Sequence, residues 1–586
     1  MFNRGDRKRR RGQFALRLQR SLRFLLFAAT SSVVLTAQTA PASLGHISFP
    51  TSGSAAAQPA FIRGVLLLHS FEYDDAIAAF REAQNADPAF AMAYWGEALS
   101  YNQPLWLNEN LDKARATLTR LGPTRVARQA KAPTAREQGY LDAVERLFGD
   151  GAKPARDRAY ADRMAQLHAQ FPEDDEASTF YALALLSTIP AGERNPAISL
   201  KAGEIALAVL KKNPEHPGAN HYALHAFDDG EHAARALQAA RTYARIAPAS
   251  SHARHMPSHV FLPLGMWDDA VASDEAAFAT SVDIAKRKGL PASQYDFHAL
   301  SWLQYEYLQQ GRFAKARETM REVERALGAQ GSRGAQGSLG AQGSRGAQGA
   351  GGARSNPEHP EHPSNLENHT THVESEIGKG YGETSLKSEL ASMKARLVVE
   401  SGDWAPMKGQ GSFDNIDELF ALGMASVPLR DPGRADAAFE QLTNAAKTIP
   451  DQDAREVAAI MAAELEGLIK LGRGDNAGAL AALARAAQLE AKRPRPIARP
   501  YPIKPAGELY AEILLGTGDA KAAVVQFKNA LARTPGRAAS LLGLARATSV
   551  TGPPADAAKA AKAFLAAWHL ADKDRPELAE MRAMAR

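Results

Sequence analysis

In the stretch "FIRGVLLLHSFEYDDAIAAFREAQNADPAFAMAYWGEALSY", which starts at Phe61, apolar residues recur three and four positions apart in successive runs, and the polar turn "SFEYDD" separates the first run from the second. This is the period of amphipathic helices folded into a hairpin. Gly64 and Ala76 are small enough to let the two helices approach, Phe80 is placed to fill the space between them, and Pro88 ends the second helix. The spacing returns near the C-terminus at Ala511, Ala523, Phe527, Ala530 and Pro535, and Ala545 and Ala557 lie 34 residues beyond Ala511 and Ala523. In the middle of the chain Pro214 and Pro248, and Ala236 and Ala270, are also 34 apart, and "LSWLQYEYLQQGRFAKARETM" adds a hairpin turning at Gly311.

A 34-residue helical hairpin with small residues, an aromatic and a closing proline at these positions resembles the tetratricopeptide repeat (TPR). The resemblance implies an all-α fold, a TPR-like helical-hairpin solenoid. Its blocks are expected at 58–327 and 374–586, joined by a disordered linker at 328–373. The linker begins with "GAQGSRGAQGSLGAQGSRGAQGAGGARS", a six-residue repeat with nothing to bury. It continues through "NPEHPEHPSNLENHTTH", where His359, His362, His369 and His372 sit in flexible chain that cannot fix a coordination geometry.

Composition fits helices, with 45% hydrophobic but only 7% aromatic residues. The net charge of +5 is misleading, because eight arginines and lysines fall within the first 20 residues and the remainder is about neutral. Nothing in that balance asks for nucleic acid. The basic start precedes an apolar run from Phe24 to Ala37, the layout of a secretory signal peptide (1–40) with cleavage expected near Ala37 or Ala40. The run is shorter than the roughly 20 residues of a spanning helix, so the expectation is an exported chain, periplasmic or secreted, without a membrane span after cleavage; an uncleaved N-terminal anchor is the alternative. The chain contains no cysteine, so any metal site must be built from imidazole and carboxylate.

Seven of the 16 histidines fall between residues 216 and 259. His221 and His255 are 34 apart, as are His225 and His259, which puts both pairs at equivalent places on the first helices of consecutive repeats. Within a helix, His221 and His225 are four apart, and His252, His255 and His259 step by three and four along one face. Two facing imidazoles can bridge the 8–10 Å or so between adjacent helices through one ion. The metal site is therefore expected at His221, His225, His252, His255 and His259, with the nitrogens of His221, His225, His255 and His259 turned toward a common point, and Zn²⁺ and Cu²⁺ suit such a donor set. The bland alternative is a metal-free polar groove whose imidazoles hydrogen-bond to Asp228, Asp229, Asp268 or Tyr222. His216 and His232 are assigned turn or capping roles.

In the TPR family the first helices line the concave groove, and the resemblance implies that these histidines and His298 face it. Trp95, Glu97, Tyr101 and Asp228 complete the expected ligand groove, although Trp95 also reads as interhelix core. The segments "HPGANHYALHAFDD" and "HARHMPSHVFLPLGMWDDA" further resemble those of bacterial exported TPR-type proteins, which implies fold and location and no reaction. No HExxH, Gly-x-Ser-x-Gly or phosphate-loop motif is present. The leading expectation is a binding protein holding a protein, peptide or small ligand in its groove, with a histidine metal site. The alternatives are a metal-dependent hydrolase using Glu97, Asp228 or Asp229 as base, and a metal-free peptide or protein scaffold.

Overall fold

The computed structural model describes residues 43–106, 108–190, 193–340 and 383–586, and from Ser43 to the C-terminus they belong to one compact unit. The export signal read at 1–40 lies outside the described residues, as do His359, His362, His369 and His372. The architecture is all-α and TPR-like: consecutive helices pair as antiparallel hairpins and stack along the chain. Among the described residues the strands are two two-residue segments, Asn102–Gln103 paired with Asn108–Glu109. None of the described helices is long and apolar enough to cross a membrane.

The first hairpin shows why the apolar period produces this packing. Helices Gln58–His69 and Tyr73–Ala86 bury Phe61, Val65, Ala76, Phe80 and Ala83 against one another. A Cβ on Gly64 would fall 2.7 Å from the Phe80 ring, so the missing side chain makes room for that aromatic. At the C-terminus the predicted lattice positions Ala511, Ala523, Ala545 and Ala557 are all buried, and Phe527 fills the same role as Phe80. Helix starts follow local chemistry: Asp174, Ser250, Asp296, Asp451 and Asp519 each accept a backbone N–H from the first turn.

Helix Phe313–Gly340, packed through Ala326, closes the first block, and its backbone enters the interval 328–373 read as the linker between the two blocks. The rest of that interval, with the residues on to 382, lies outside the described residues. The two helical blocks also meet in a common core, in which Val271, Phe297 and Phe313 pack with Leu386, Ala538, Phe564 and Trp568. Polar contacts fasten the same junction. Trp267 Nε1 donates to the Gly536 carbonyl at 2.9 Å, the Ala538 N–H donates to Gln309 Oε1 at 3.1 Å, and buried Arg537, paired with Glu508 inside its own block, reaches the Tyr305 hydroxyl at 3.3 Å.

Candidate metal centre

Helix Pro217–Ala226 starts with Pro217 in its first turn, and His216 caps it by accepting the Ala219 N–H at Nδ1. Every residue of this helix except His225 is buried, so it runs through the interior. Gly218 is needed there because any Cβ would strike the His69 ring. Downstream, Ser250 caps the short helix Ser251–His255, and after Met256 and Pro257 the path resumes as Ser258–Phe261. Helix Trp267–Lys288 brings up Asp274, and helix Phe297–Gln309 carries His298 and Trp302. Ser251 Oγ donates to the Asp296 carboxylate at 2.8 Å, which ties the start of one histidine helix to the cap of the next.

The ring nitrogens form two groups. His221, His225 and His252 make the first: His221 Nε2 lies 2.7 Å from His252 Nε2 and 3.0 Å from His225 Nε2. His255, His259 and His298 make the second, with His255 Nε2 and His259 Nε2 3.0 Å apart. The expectation of one common point for His221, His225, His255 and His259 is thus corrected to two triads, and His298 moves from the ligand groove into the second. The reason is what the segment faces on either side: His252 meets His221 of helix Pro217–Ala226, whereas His255 and His259 meet His298 and Trp302 of helix Phe297–Gln309.

Tautomers follow from the outer nitrogens. His221 Nδ1 sits 2.5 Å from the backbone carbonyl of His69, which only accepts, so Nδ1 carries the proton and Nε2 presents a lone pair. His259 Nδ1 lies 3.0 Å from an Asp228 carboxylate oxygen and His255 Nδ1 2.6 Å from Asp274, so a carboxylate holds the outer nitrogen of each ring. Burial raises both Asp274 and Glu306 well above the usual carboxylate range. The charge of Asp274 beside it raises Glu306 further. His221 is pushed well below its ordinary value, first by burial and then by His252 beside it, so its ring is neutral at pH 7.

Aromatic rings wall both triads. Phe71 lies 4.4 Å from His221, 5.4 Å from His252 and 5.6 Å from His225 between ring centroids. It does so from a left-handed backbone, φ 59°, a conformation that costs a bulky residue of order 1–3 kcal/mol and is held by the surrounding packing. Trp302 covers the second triad at 4.4 Å from His259 and 5.2 Å from His255. His221, His252, His255 and His259 are buried, whereas His225 and His298 are half-exposed. The imidazoles therefore line the interior and not an open groove, because the Phe71 turn and the Trp302 helix close over them. Beside Phe71 and Trp106 a cleft of about 20 Å³, also lined by Glu72, Asp74, Asp75 and Lys288, has room for a water-sized molecule.

The other expected groove residues are engaged elsewhere. Trp95 is fully buried in the core, edge-on to Phe49, Tyr140 and Phe180. Glu97 is also buried. Burial disfavours its charge, but hydrogen bonds from Gln84 and Arg81 and the charge of Arg120 outweigh that and lower its pKa. Tyr101 accepts from Arg81 at 2.9 Å. Asp229 pairs with His232 at 2.8 Å, a turn role. Asp228 belongs to the second triad through His259.

A third group, His69, Glu176 and His216, is built differently. His69 Nε2 donates to Glu176 at 2.7 Å while its Nδ1 accepts from Tyr222, and His216 points Nε2 at Glu176 (3.2 Å) while its Nδ1 caps the helix. Both nitrogens of each ring are used, so no lone pair is left for a cation. This is a buried structural pair. His69, Phe71, Asp274 and Trp302 escaped the sequence reading; of these only Trp302, one helical turn after His298, carried a local signal.

No protein-family model matches the chain, and no curated protein matches it. Among solved structures the chain is similar to the APC/C hetero-tetramer Cut9–Hcn1 (11% identity, TM-score 0.28, covering 92% of this chain and 78% of that one). It is also similar to the human IFIT1 dimer with m7Gppp-AAAA (12%, 0.30, 90% and 92%) and to a monomeric IFIT1 mutant with Gppp-AAAA (11%, 0.31, 82% and 90%). At such scores the likenesses bear on no ligand, and the helical-repeat class rests on the helix order and packing of the chain itself.

Proposed function

We propose that this chain is an exported helical-repeat protein that binds divalent metal ions, Zn²⁺ or Cu²⁺, through the two histidine triads. The observation that carries the reading is the pair His255 Nε2 and His259 Nε2. They lie 3.0 Å apart, and each ring has its outer nitrogen held by a carboxylate. The ligand nitrogens of each triad lie within 4.8 Å of one another, close enough for one ion to meet all three. An imidazole whose Nδ1–H is held by a carboxylate is the usual form of a metal-bound histidine, since the outer partner fixes the ring and raises its basicity. Three imidazoles and no thiolate suit Zn²⁺ and Cu²⁺. The hydrolase alternative is not favoured, because Glu97, Asp228 and Asp229 are each engaged by a cation or an imidazole. Export is supported by the basic N-terminus and the apolar run Phe24–Ala37.

The test is elemental analysis of the full chain, purified without chelator and dialysed against Zn²⁺ or Cu²⁺. The expected result is retained metal that falls when His255 and His259 are both changed to Ala. Protein that retains neither ion would overturn the proposal and leave the metal-free scaffold.

A further inference from the structure

We infer that residues 43–53, which run ahead of the first helix, are a displaceable internal ligand, and that the seam they fill is a docking site for an extended peptide of a partner protein, one that presents phenylalanine followed three positions on by Ser or Thr. The inference stands apart from the metal-binding reading and does not depend on it.

The segment lies as a bound peptide does. Its backbone is neither helix nor strand, and its residues alternate: Gly45 and Phe49 are buried, whereas His46, Ser48 and Pro50 are exposed. That is the period of an extended chain with one face against a surface. It crosses the starts of several helices in turn. The Ser43 carbonyl accepts the Ala249 N–H at 3.2 Å, just ahead of helix Ser251–His255. Gly45, at φ 93°, presses so closely on Pro217 and Ile246 that a Cβ would fall 2.7 Å from the Ile246 side chain. Phe49 and Pro50 then reach the first turn and the flank of helix Ala135–Leu147. Because the segment precedes helix Gln58–His69, lifting it off leaves the connectivity of every hairpin intact.

One pocket and one backbone clamp hold it. The Phe49 ring is 2% exposed and lies 5.4, 5.8 and 5.2 Å from Phe61, Trp95 and Tyr140 between ring centroids, with the Arg136 guanidinium 4.5 Å from its centroid. Arg136 also donates to the Pro50 carbonyl at 2.8 Å, and buried Glu137 accepts the Ser52 N–H at 2.7 Å and the Ser52 hydroxyl at 2.8 Å. Two of these three bonds go to main-chain groups, so another extended segment with Phe and a small hydroxyl at the same separation meets the same partners. Main-chain bonds hold such a peptide and the side-chain pocket selects it. The receiving side is fixed by bonds of its own. Asp174 accepts from Arg136 at 2.5 and 3.0 Å and from the Tyr140 hydroxyl at 3.2 Å, Thr134 donates to Glu137 at 2.9 Å, and Trp95 packs edge-on to Phe180 at 5.4 Å. A site organised in this way needs little reordering when one occupant replaces another.

Fluorescence anisotropy of a labelled synthetic peptide of residues 43–53, SLGHISFPTSG, added to the full chain tests this. The unaltered chain, whose own segment competes, should bind it weakly. Phe49→Ala in the chain frees the pocket and should tighten the peptide by at least about tenfold, the scale of a buried aromatic anchor. The peptide that itself carries Phe49→Ala should not bind, and helical circular dichroism is the folding control for the chain variant. Hydrogen exchange on the unaltered chain gives a second readout that needs no variant: the Ser52 amide should exchange well ahead of the amides of helix Ala135–Leu147 beneath it, and faster still with excess peptide present. A folded Phe49→Ala chain that takes up no peptide, equal binding of the Phe49→Ala peptide, or a Ser52 amide that opens only with that helix would overturn the inference and make the segment a fixed part of the core.

Discussion

Filling the histidine triads should raise the melting temperature of the chain by an amount that can be worked out. An ion that binds only the folded state at a hundred times its dissociation constant stabilises it by about 2.7 kcal/mol, so two filled triads contribute about 5.4 kcal/mol. A unit of roughly 540 residues unfolds with an entropy of about 1.1 kcal/mol per kelvin, which converts that gain to a rise of about 5 °C. Differential scanning calorimetry at pH 7.5 with and without Zn²⁺ measures it. His255→Ala with His259→Ala removes the second triad and should cut the rise to about 2–3 °C. Acidification should erase the remainder. Burial lowers His221 in the folded chain, so below about pH 6.5 the unfolded state takes up a proton that the folded ring refuses. Stability without metal therefore declines from pH 6.5 downward, and protons compete with the ion for the same nitrogens. A Zn²⁺ shift of equal size in the parent and the double variant would refute the assignment of the triads, as would a shift that persists undiminished at pH 5.

Gly218→Ala should lower the metal-free melting temperature by about 1–3 °C, the effect of about 1–3 kcal/mol of overpacking against His69. It should also weaken Zn²⁺ affinity roughly tenfold, because the His69 carbonyl fixes His221; calorimetric titration checks the second effect. Glu72, in the turn beside Phe71, is raised to about 7 by burial, with a hydrogen bond from Ser250 opposing. Its folded pKa exceeds the unfolded one, so its contribution is complete below about pH 4.3 and is lost as pH rises through 7. Glu72→Gln should therefore stabilise by about 1–3 kcal/mol at pH 8 and by almost nothing at pH 4.5, read from melting curves at the two pH values.

Sequence alone determined the helices, their pairing into hairpins and the repeat spacing, because apolar periodicity, capping residues and prolines act within a few positions of themselves. Gly64 with Phe80, and the buried alanines 511, 523, 545 and 557, were legible for that reason. It also singled out His221, His225, His252, His255 and His259, since spacings of three and four put residues on one helix face, and His298 through the resemblance to the repeat family. What it did not determine was which ring faces which. The division between His252 and His255 depends on which helix stands on either side of their short segment, and the walls come from Phe71, some 150 residues away in sequence, and from Trp302. Trp95 and Glu97 share their helix with other buried residues, so periodicity could place them on a face without saying whether that face met water or protein. The union of the two helical blocks was equally hidden, because the Arg537–Tyr305, Ala538–Gln309 and Trp267–Gly536 bonds join positions whose local patterns carry no mark of one another. Contacts between distant segments are set by how the stacked hairpins curve, and that curvature exists only in the folded chain.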